Sequence, residues 1–350
     1  MRRQQTGIAL LIVLLIFAVV SVLATVLIER QSRDIQRATA QLARQQARVL
    51  LQGVDSVVRS GLYLDWENDP DIDHGLEDWA IDRTFPMDNG LVFVRIADAQ
   101  GKFNLNWLAP AANNHTVWQQ RFYNLLNELG LDVDIAGRLA NWMDADSQVE
   151  NDYLSLEPSY RPAYHTCKHS SDLMLLEGVD LDTYTALEPY VVCLPVTTQL
   201  NINTASELVM SALDANFSIA DAQAVVTARG DSGLASVSDF MALDAVKGFA
   251  SGEDSSTTDN TDDSDNQNSS TSSSSTAKNK WSADDFTIKT EYFEVFGRVD
   301  IGTSGDWSGT CEFLLKRDAG NGNFSTLYRD YSRREARRLP ELPSQNVLTN

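Results

Sequence analysis

Cysteine, histidine and positive charge are scarce in this chain of 350 residues, which has three cysteines and four histidines. Residues so few and so scattered exclude a dense disulfide scaffold, an iron–sulfur site and a zinc finger. Lys and Arg number 28 against 49 Asp and Glu, which gives a formal net charge of −21. Because a field of that sign repels phosphate backbones, we expect no direct nucleic-acid partner.

Motifs that carry catalysis are missing as well. The sequence has no G-x-S-x-G elbow, no P-loop and no H-E-x-x-H motif, and its histidines fit no triad order. Asp144 and Asp146 could imitate the carboxylate pair of a hydrolase, but two acids this close are weak evidence without a substrate-binding signature. The sequence therefore predicts a protein that is not an enzyme.

One long hydrophobic run stands near the amino terminus. Residues 8–28 are apolar except for Ser21 and Thr25, and as a helix they span about 30 Å of hydrocarbon. Arg2 and Arg3 precede the run, which favours a cytoplasmic amino terminus and a body on the other side of the membrane. A cleaved secretory signal would have a shorter apolar core, of about 7 to 15 residues. An uncleaved anchor that merely tethers a domain remains an alternative.

The helical pattern continues beyond the membrane run without a breaker. Ile28, Ile35, Leu42 and Val49 recur every seven residues, and further apolar residues extend the stripe to Leu62. One helix is therefore predicted from residue 8 to about residue 62. Its apolar stripe is predicted to pack against the helices of partner subunits, through Ile35, Leu42, Val49, Val54 and Val57.

A basic leader ending in Gly7, followed directly by such a helix, resembles the amino terminus of type IV pilins and of the pseudopilins of type II secretion. The resemblance implies that a prepilin peptidase cuts between Gly7 and Ile8, and that the new terminus is methylated. Most pilins carry a glutamate at mature position five, whose partner is the terminal amine of the subunit ahead, but here Ile12 occupies that position. A subunit with none ahead of it needs no such carboxylate, so Ile12 hints at the tip of a filament.

The rest of the chain predicts an α+β fold. Residues 91–97 read as a strand that turns at 98–101 and returns over 102–106 as a hairpin, and three more strands are predicted at 292–301, 310–316 and 324–331. Helical patterns fill the region between, so the fold class is a pilin-like long amino-terminal helix packed on an antiparallel sheet, with a large all-helical domain inserted between strands. The predicted divisions are a leader (1–7), a membrane helix (8–28), its periplasmic extension (29–62), the first part of the sheet (63–107), the inserted helical domain (108–250), a disordered Ser/Asp-rich loop (251–280), the second part of the sheet (281–332) and a tail (333–350).

Five short blocks in order resemble the type II secretion system protein K family: DAQGKFNLN at 98–106, WMDADS at 142–147, Tyr153, YRPAY at 160–164 and LPVTTQLNINTA at 194–205. The resemblance implies a minor pseudopilin at the tip of the pseudopilus, which helps to initiate and cap the filament and to export folded proteins across the outer membrane. Its implied partners are the minor pseudopilins I and J, through them H and the major pseudopilin, and the prepilin peptidase. It would cross the bacterial inner membrane once, with a cytoplasmic amino terminus before cleavage and a periplasmic body.

An acidic segment follows the second block, with no Lys or Arg between Leu139 and Tyr160. Crowded carboxylates are either solvated or bridged by a cation, and calcium takes six to eight oxygens in flexible geometry. The spacing is not that of an EF-hand, and the residues alone favour a solvated loop. Members of the resembling family bind calcium in the helical domain, which shifts the expectation to a structural calcium site formed by Asp144, Asp146, Glu150, Asp152 and Glu157.

The cysteines offer two interpretations. His165, Cys167 and His169 form an H-x-C-x-H motif that could chelate a soft metal, but no fourth ligand is evident and an extracytoplasmic compartment favours thiol oxidation. Cys167 and Cys193 bracket a helical pair, and we expect a disulfide between them. Cys311 lies on the apolar face of a strand and is expected to be a buried thiol.

A second function class rests on residues 222–243, which resemble a helix-hairpin-helix module with Gly230 and Gly233 in the hairpin. Such modules grip DNA phosphates in other proteins, but no lysine cluster follows the hairpin here, so a structural or protein-binding role is favoured. The alternative reading of the whole chain is a membrane-anchored periplasmic protein that uses this module, either a DNA-uptake factor or a hydrolase.

Overall fold

The structure is a computed structural model and describes residues 5–88, 90–250, 281–302 and 307–331. The predicted loop at 251–280 and the predicted tail at 333–350 lie outside these residues. One helix, α1 (Gln5–Asn68), accounts for the first 64 of them and is long and apolar enough to cross a membrane. It extends six residues beyond the predicted end and stops two residues before Pro70, whose ring disfavours helical geometry in the residue before it.

The central sheet has five antiparallel strands in the order β1-β2-β7-β8-β9. Its members are β1 (Arg83–Met87), β2 (Gly90–Asp98), β7 (Tyr292–Ile301), β8 (Trp307–Arg317) and β9 (Phe324–Asp330). Strands β2 and β7 are neighbours, with Gly90 opposite Ile301 and Asp98 opposite Phe293. Residues 99–291 therefore form an insertion between two adjacent strands, which confirms the predicted fold class.

The predicted hairpin at 91–106 is wrong. Strand β2 pairs instead with β1, from Arg83 opposite Val94 to Met87 opposite Gly90. After β2, the side chain of Asp98 accepts a hydrogen bond from the Gln100 backbone N–H and starts a short 3-10 turn, so the chain leaves the sheet. Strand β1 lacks the alternation that predicts strands because all five of its residues are exposed on the edge of the sheet.

The insertion is a helical domain with a core of its own. It contains two short parallel pairs, β3 (Phe103–Asn104) with β4 (Val191–Val192) and β5 (Leu200–Asn201) with β6 (Phe286–Thr287). Its helices are α2 (His115–Glu128), α3 (Ile135–Met143), α4 (Glu150–Leu154), α5 (Leu181–Leu187), α6 (Glu207–Ser211), α7 (Ile219–Arg229) and α8 (Val237–Ala242).

The core of this domain crosses the predicted boundaries. Phe103 and Leu105, before the predicted start at 108, are fully buried in it, and so are Trp281 and Phe286, which were assigned to the second part of the sheet. Trp281 packs between Phe240 and Phe249 in near-parallel stacks. One apolar core therefore contains residues from both ends of the insertion.

The sheet lies along the second half of α1. A Cβ on Gly297 would contact side chains of Leu51 and Val54, and one on Gly322 would collide with the ring of Trp66. The insertion leaves the sheet at Asp98 and returns beside Phe293, and Phe293 belongs to the cluster that contains Leu62. The helical domain therefore sits at the end of the sheet farthest from the membrane run.

Candidate functional site

Helix α1 carries two apolar faces beyond the membrane run. One is buried against the sheet, with exposures of 0 to 4% for Ala47, Leu51, Val54, Val58 and Leu62. The other face points away from the sheet. Its mean direction lies about 140° around the helix axis from that of the buried face, assuming 100° per residue. We call it the outward stripe; its members are 56 to 66% exposed and are Ile35, Leu42, Val49, Val57 and Leu64.

Four of the five predicted partner-packing residues lie on the outward stripe, and Val54 does not. Val54 is 4% exposed and packs in the sheet core, so its prediction as a partner contact is wrong. Both faces are apolar, and apolar periodicity alone does not distinguish the face that the sheet covers. Leu64 belongs to the stripe and was missed because the predicted helix ended at Leu62.

A groove runs beside the outward stripe. A cleft of 340 Å³ lies between the end of α1 and strand β1, and its walls include Val57, Leu64 and Phe85. A second cleft of 480 Å³, lined by Val49 and Met87, continues it towards the membrane run. Strand β1 is an edge strand with exposed Phe85 and Met87. Stripe and edge together form an elongated apolar surface, the kind that marks an interaction site.

The acidic segment lies on the surface of the helical domain between α3 and the end of α4. Asp144 directly follows α3, and its side chain accepts a hydrogen bond from the Asp146 backbone N–H at 2.9 Å. Glu150 begins α4 and pairs with Arg161 at 3.0 Å. No three of the predicted calcium ligands have oxygens within 4.8 Å of one another in the described chain. As placed, these residues do not form a cation cage, and binding would require the segment to rearrange.

Cys167 and Cys193 are joined in a disulfide, with their Cα atoms 5.7 Å apart. Cys167 therefore offers no thiolate to an H-x-C-x-H chelate. His169 instead lies 3.6 Å from a Glu312 carboxylate oxygen. Cys311 is a buried free thiol, and its burial raises its pKa to about 12, which makes it unreactive.

A buried polar network anchors the helical domain to the sheet and to the chain after α1. The Asn201 side-chain amide donates to the Asp98 carboxylate at 2.9 Å, to the Thr290 hydroxyl at 2.9 Å and to the Asp73 carbonyl at 3.2 Å. Thr204 donates its hydroxyl to Asp98, and the side chain of Ser206 caps α6. Burial raises the pKa of Asp98 to about 6, against the lowering effect of these hydrogen bonds.

Helices α7 and α8 form the helix-hairpin-helix-like element. Gly230 and Gly233 both adopt positive φ in the turn, a conformation that glycine tolerates. The turn packs inward, because a Cβ on Gly233 would collide with the Asn203 side chain. Arg229 lies against the Met210 sulfur, so its guanidinium is held by the domain instead of being offered to a phosphate.

Two models of the family described as "Type II secretion system (T2SS), protein K" match residues 101–196 and 200–259. The type II secretion system protein K of Pseudomonas aeruginosa is 38% identical over 260 residues, which cover 69% of this chain and 77% of that protein. The chain belongs to the type II secretion system protein K family.

Further comparisons agree with this family. The protein K of Klebsiella pneumoniae is 31% identical over 71% of this chain and 82% of its own length. A chain in the crystal structure of the GspK-GspI-GspJ complex from enterotoxigenic Escherichia coli matches with a TM-score of 0.67 at 23% identity, over 85% of this chain and 99% of that chain. The structural match shows that this member of the protein K family shares the fold of that chain.

Proposed function

We propose that the chain is a minor pseudopilin at the tip of a type II secretion pseudopilus, in complex with the minor pseudopilins I and J and through them with H and the major pseudopilin. Family membership supports the secretion role, and the outward stripe of α1 carries the proposed contact. Its five large apolar side chains remain exposed outside the membrane run. Burying one such side chain fully is worth about 1.5 kcal/mol or more, so partner helices are the natural cover.

Two features support a place at the tip, where the protein would help to initiate and cap the filament. The helical domain sits at the end of the sheet farthest from the membrane run, where a further subunit would otherwise stack. Ile12 removes the carboxylate that would pair with the terminal amine of a subunit ahead. A bulky helical domain and an apolar residue at mature position five together suit a subunit that has neighbours on one side only.

The same proposal places the protein in the bacterial inner membrane, with a single pass and a periplasmic body. Support comes from the apolar run at the start of α1 and from Arg2 and Arg3 before it. A prepilin peptidase would cut after Gly7 and leave Ile8 as the first residue. The disulfide between Cys167 and Cys193 suits an oxidising periplasm.

Calcium binding by the acidic segment is a separate, structural proposal. It is supported by the density of carboxylates between Asp144 and Glu157 and requires them to converge around the ion. Calorimetry with calcium on the full-length protein in detergent should show binding that Asp144→Ala weakens at least tenfold. Equal binding by both proteins would leave the segment a solvated loop.

Co-purification with I and J from cells tests the proposed role. Val57→Asp places a charge on the outward stripe and should reduce recovery of both partners at least tenfold, because its carboxylate would have to be desolvated in the interface. Gln52→Asp is the matched control, since Gln52 is exposed on α1 but off the stripe, and it should retain the partners. Equal recovery with both variants would contradict the proposal.

A further inference from the structure

Three carboxyl side chains meet where α1 ends and the chain turns towards the helical domain. They are Asp65, Asp73 and Glu77, called here the junction acids. One oxygen from each lies within 4.8 Å of the other two, and no other trio of potential metal ligands is this close within the described residues. Their sequence spacing matches no metal-binding motif.

The junction acids are built into the fold, yet two of their oxygens have no partner. Asp73 is 1% exposed; its Oδ2 accepts from the Thr290 backbone N–H at 2.7 Å and from Arg317. Its Oδ1 has no hydrogen-bond partner among the described residues, and neither has Oδ2 of Asp65. Buried acceptors without a hydrogen bond are unfavourable, so this pair of oxygens points to a ligand between them.

The charge around the junction acids is mainly negative, which also favours a cation. Arg317 forms an ion pair with Asp73, which leaves two carboxyls of the trio without a full cationic partner. Two further basic groups lie nearby: Lys289 acts on Asp73 but forms its ion pair with Asp71, and His74 has its Nε2 3.6 Å from Glu77. Asp65 also lies in the last turn of α1, where the helix dipole adds negative potential.

The pKa values agree with this shortage of positive charge. Asp65 lies well beyond the membrane run; burial, followed by repulsion from Glu77 and Asp73, raises its pKa to about 7. Burial likewise raises the pKa of Asp73 and of Glu77. Each carboxylate would be stabilised by a nearby cation.

We propose that the junction acids bind a hard divalent cation, with calcium as the first candidate because all their donors are oxygens. Asp65 also lines the 340 Å³ cleft beside β1, which gives the ion a path from solvent. Glu77 is held by the His74 backbone N–H and by the Trp79 indole, so the third ligand is already oriented. The bound ion joins the end of α1 to the segment that leads to the sheet, and so fixes the orientation of α1 relative to the inserted helical domain.

Thermal unfolding of the full-length protein in detergent at pH 8 tests the site, with calcium chloride compared with a chelator. Calcium should raise the Tm of the wild type by about 5 °C, as expected for an ion present well above its Kd. Asp65→Asn and Glu77→Gln should each lose most of that rise. Two junction variants are used so that misfolding of one does not decide the result.

Two controls make the result specific. Glu67→Gln changes an exposed acid on the same helix and should keep the full calcium response. Asp144→Asn should keep the junction response, which separates this site from the acidic segment. An absent calcium response in the wild type, or an equal response in the wild type and both junction variants, would overturn the proposal.

Discussion

Some carboxyl groups are buried where α1, the sheet and the inserted helical domain meet, although burial of their charge is unfavourable. Asp98 shows this most clearly, because it accepts hydrogen bonds from Gln100, Asn201 and Thr204 and still has its pKa raised to about 6. Three good hydrogen bonds therefore do not repay the desolvation of its charge. Asp98 is the first residue of the family block at 98–106, and it joins strand β2 to the inserted helical domain.

The sign of its pH effect follows. The folded state binds a proton at Asp98 more tightly than the unfolded state, whose pKa is near 3.8. The contribution of Asp98 to stability is therefore largest below pH 4 and is lost as the pH rises to about 6. Its size is about 3 kcal/mol, at 1.36 kcal/mol per pKa unit.

Urea unfolding at pH 4, 5, 6 and 7, in the presence of a chelator, measures this effect. The unfolding free energy of the wild type relative to Asp98→Asn should fall by about 2.5 kcal/mol from pH 4 to pH 7. Asp88→Asn, at an exposed acid, should give a difference that stays constant within about 0.5 kcal/mol. A pH-independent difference for Asp98→Asn would contradict the assignment.

Substitutions at Val54 and Val57, three residues apart on α1, distinguish an effect on folding from an effect on assembly. Val54→Asp buries an unpaired carboxylate against the sheet and should destabilise the protein by about 4 kcal/mol. Val57→Asp changes an exposed side chain and should alter stability by no more than about 0.5 kcal/mol. Thermal unfolding of both variants without partners checks this, and a large destabilisation by Val57→Asp would show that the outward stripe is part of the fold.

At the scale of elements, the long helix and three sheet strands follow directly from periodicity. Strands β7, β8 and β9 were predicted within three residues at each end, from the apolar residues in their sequences, although burial in β7 is nearly continuous and β9 has no buried residue. The hairpin β1–β2 was missed because an edge strand with every residue exposed carries no such signal. The junction acids were missed because their meeting depends on how α1 ends, which tertiary packing decides.

The disulfide closes the loop that contains α5 and joins it to β4. Replacing both cysteines, Cys167→Ser with Cys193→Ser, should lower stability by about 3 kcal/mol in the chain-entropy model. Reduction of the wild type should give the same loss, and reduction of the double variant should give none. A reductant effect of the same size in the double variant would show that the loss of stability does not come from this disulfide.

At the scale of the whole molecule, the described chain has three parts: a rod, which is helix α1, the five-stranded sheet, and a head, which is the inserted helical domain. The rod presents apolar surface twice: once to its own sheet, and once outward along the stripe. The head is inserted where the sheet is farthest from the membrane run. The sheet covers the first face, whereas the side chains of the outward stripe are exposed in the described chain.

Amino-terminal sequencing of the protein purified from membranes together with its partners tests the central claim most directly. A pseudopilin must lose its leader before its helix enters a filament. We expect a mature chain that begins at Ile8, cut after Gly7. A partner-bound protein that still carries residues 1–7 would contradict it.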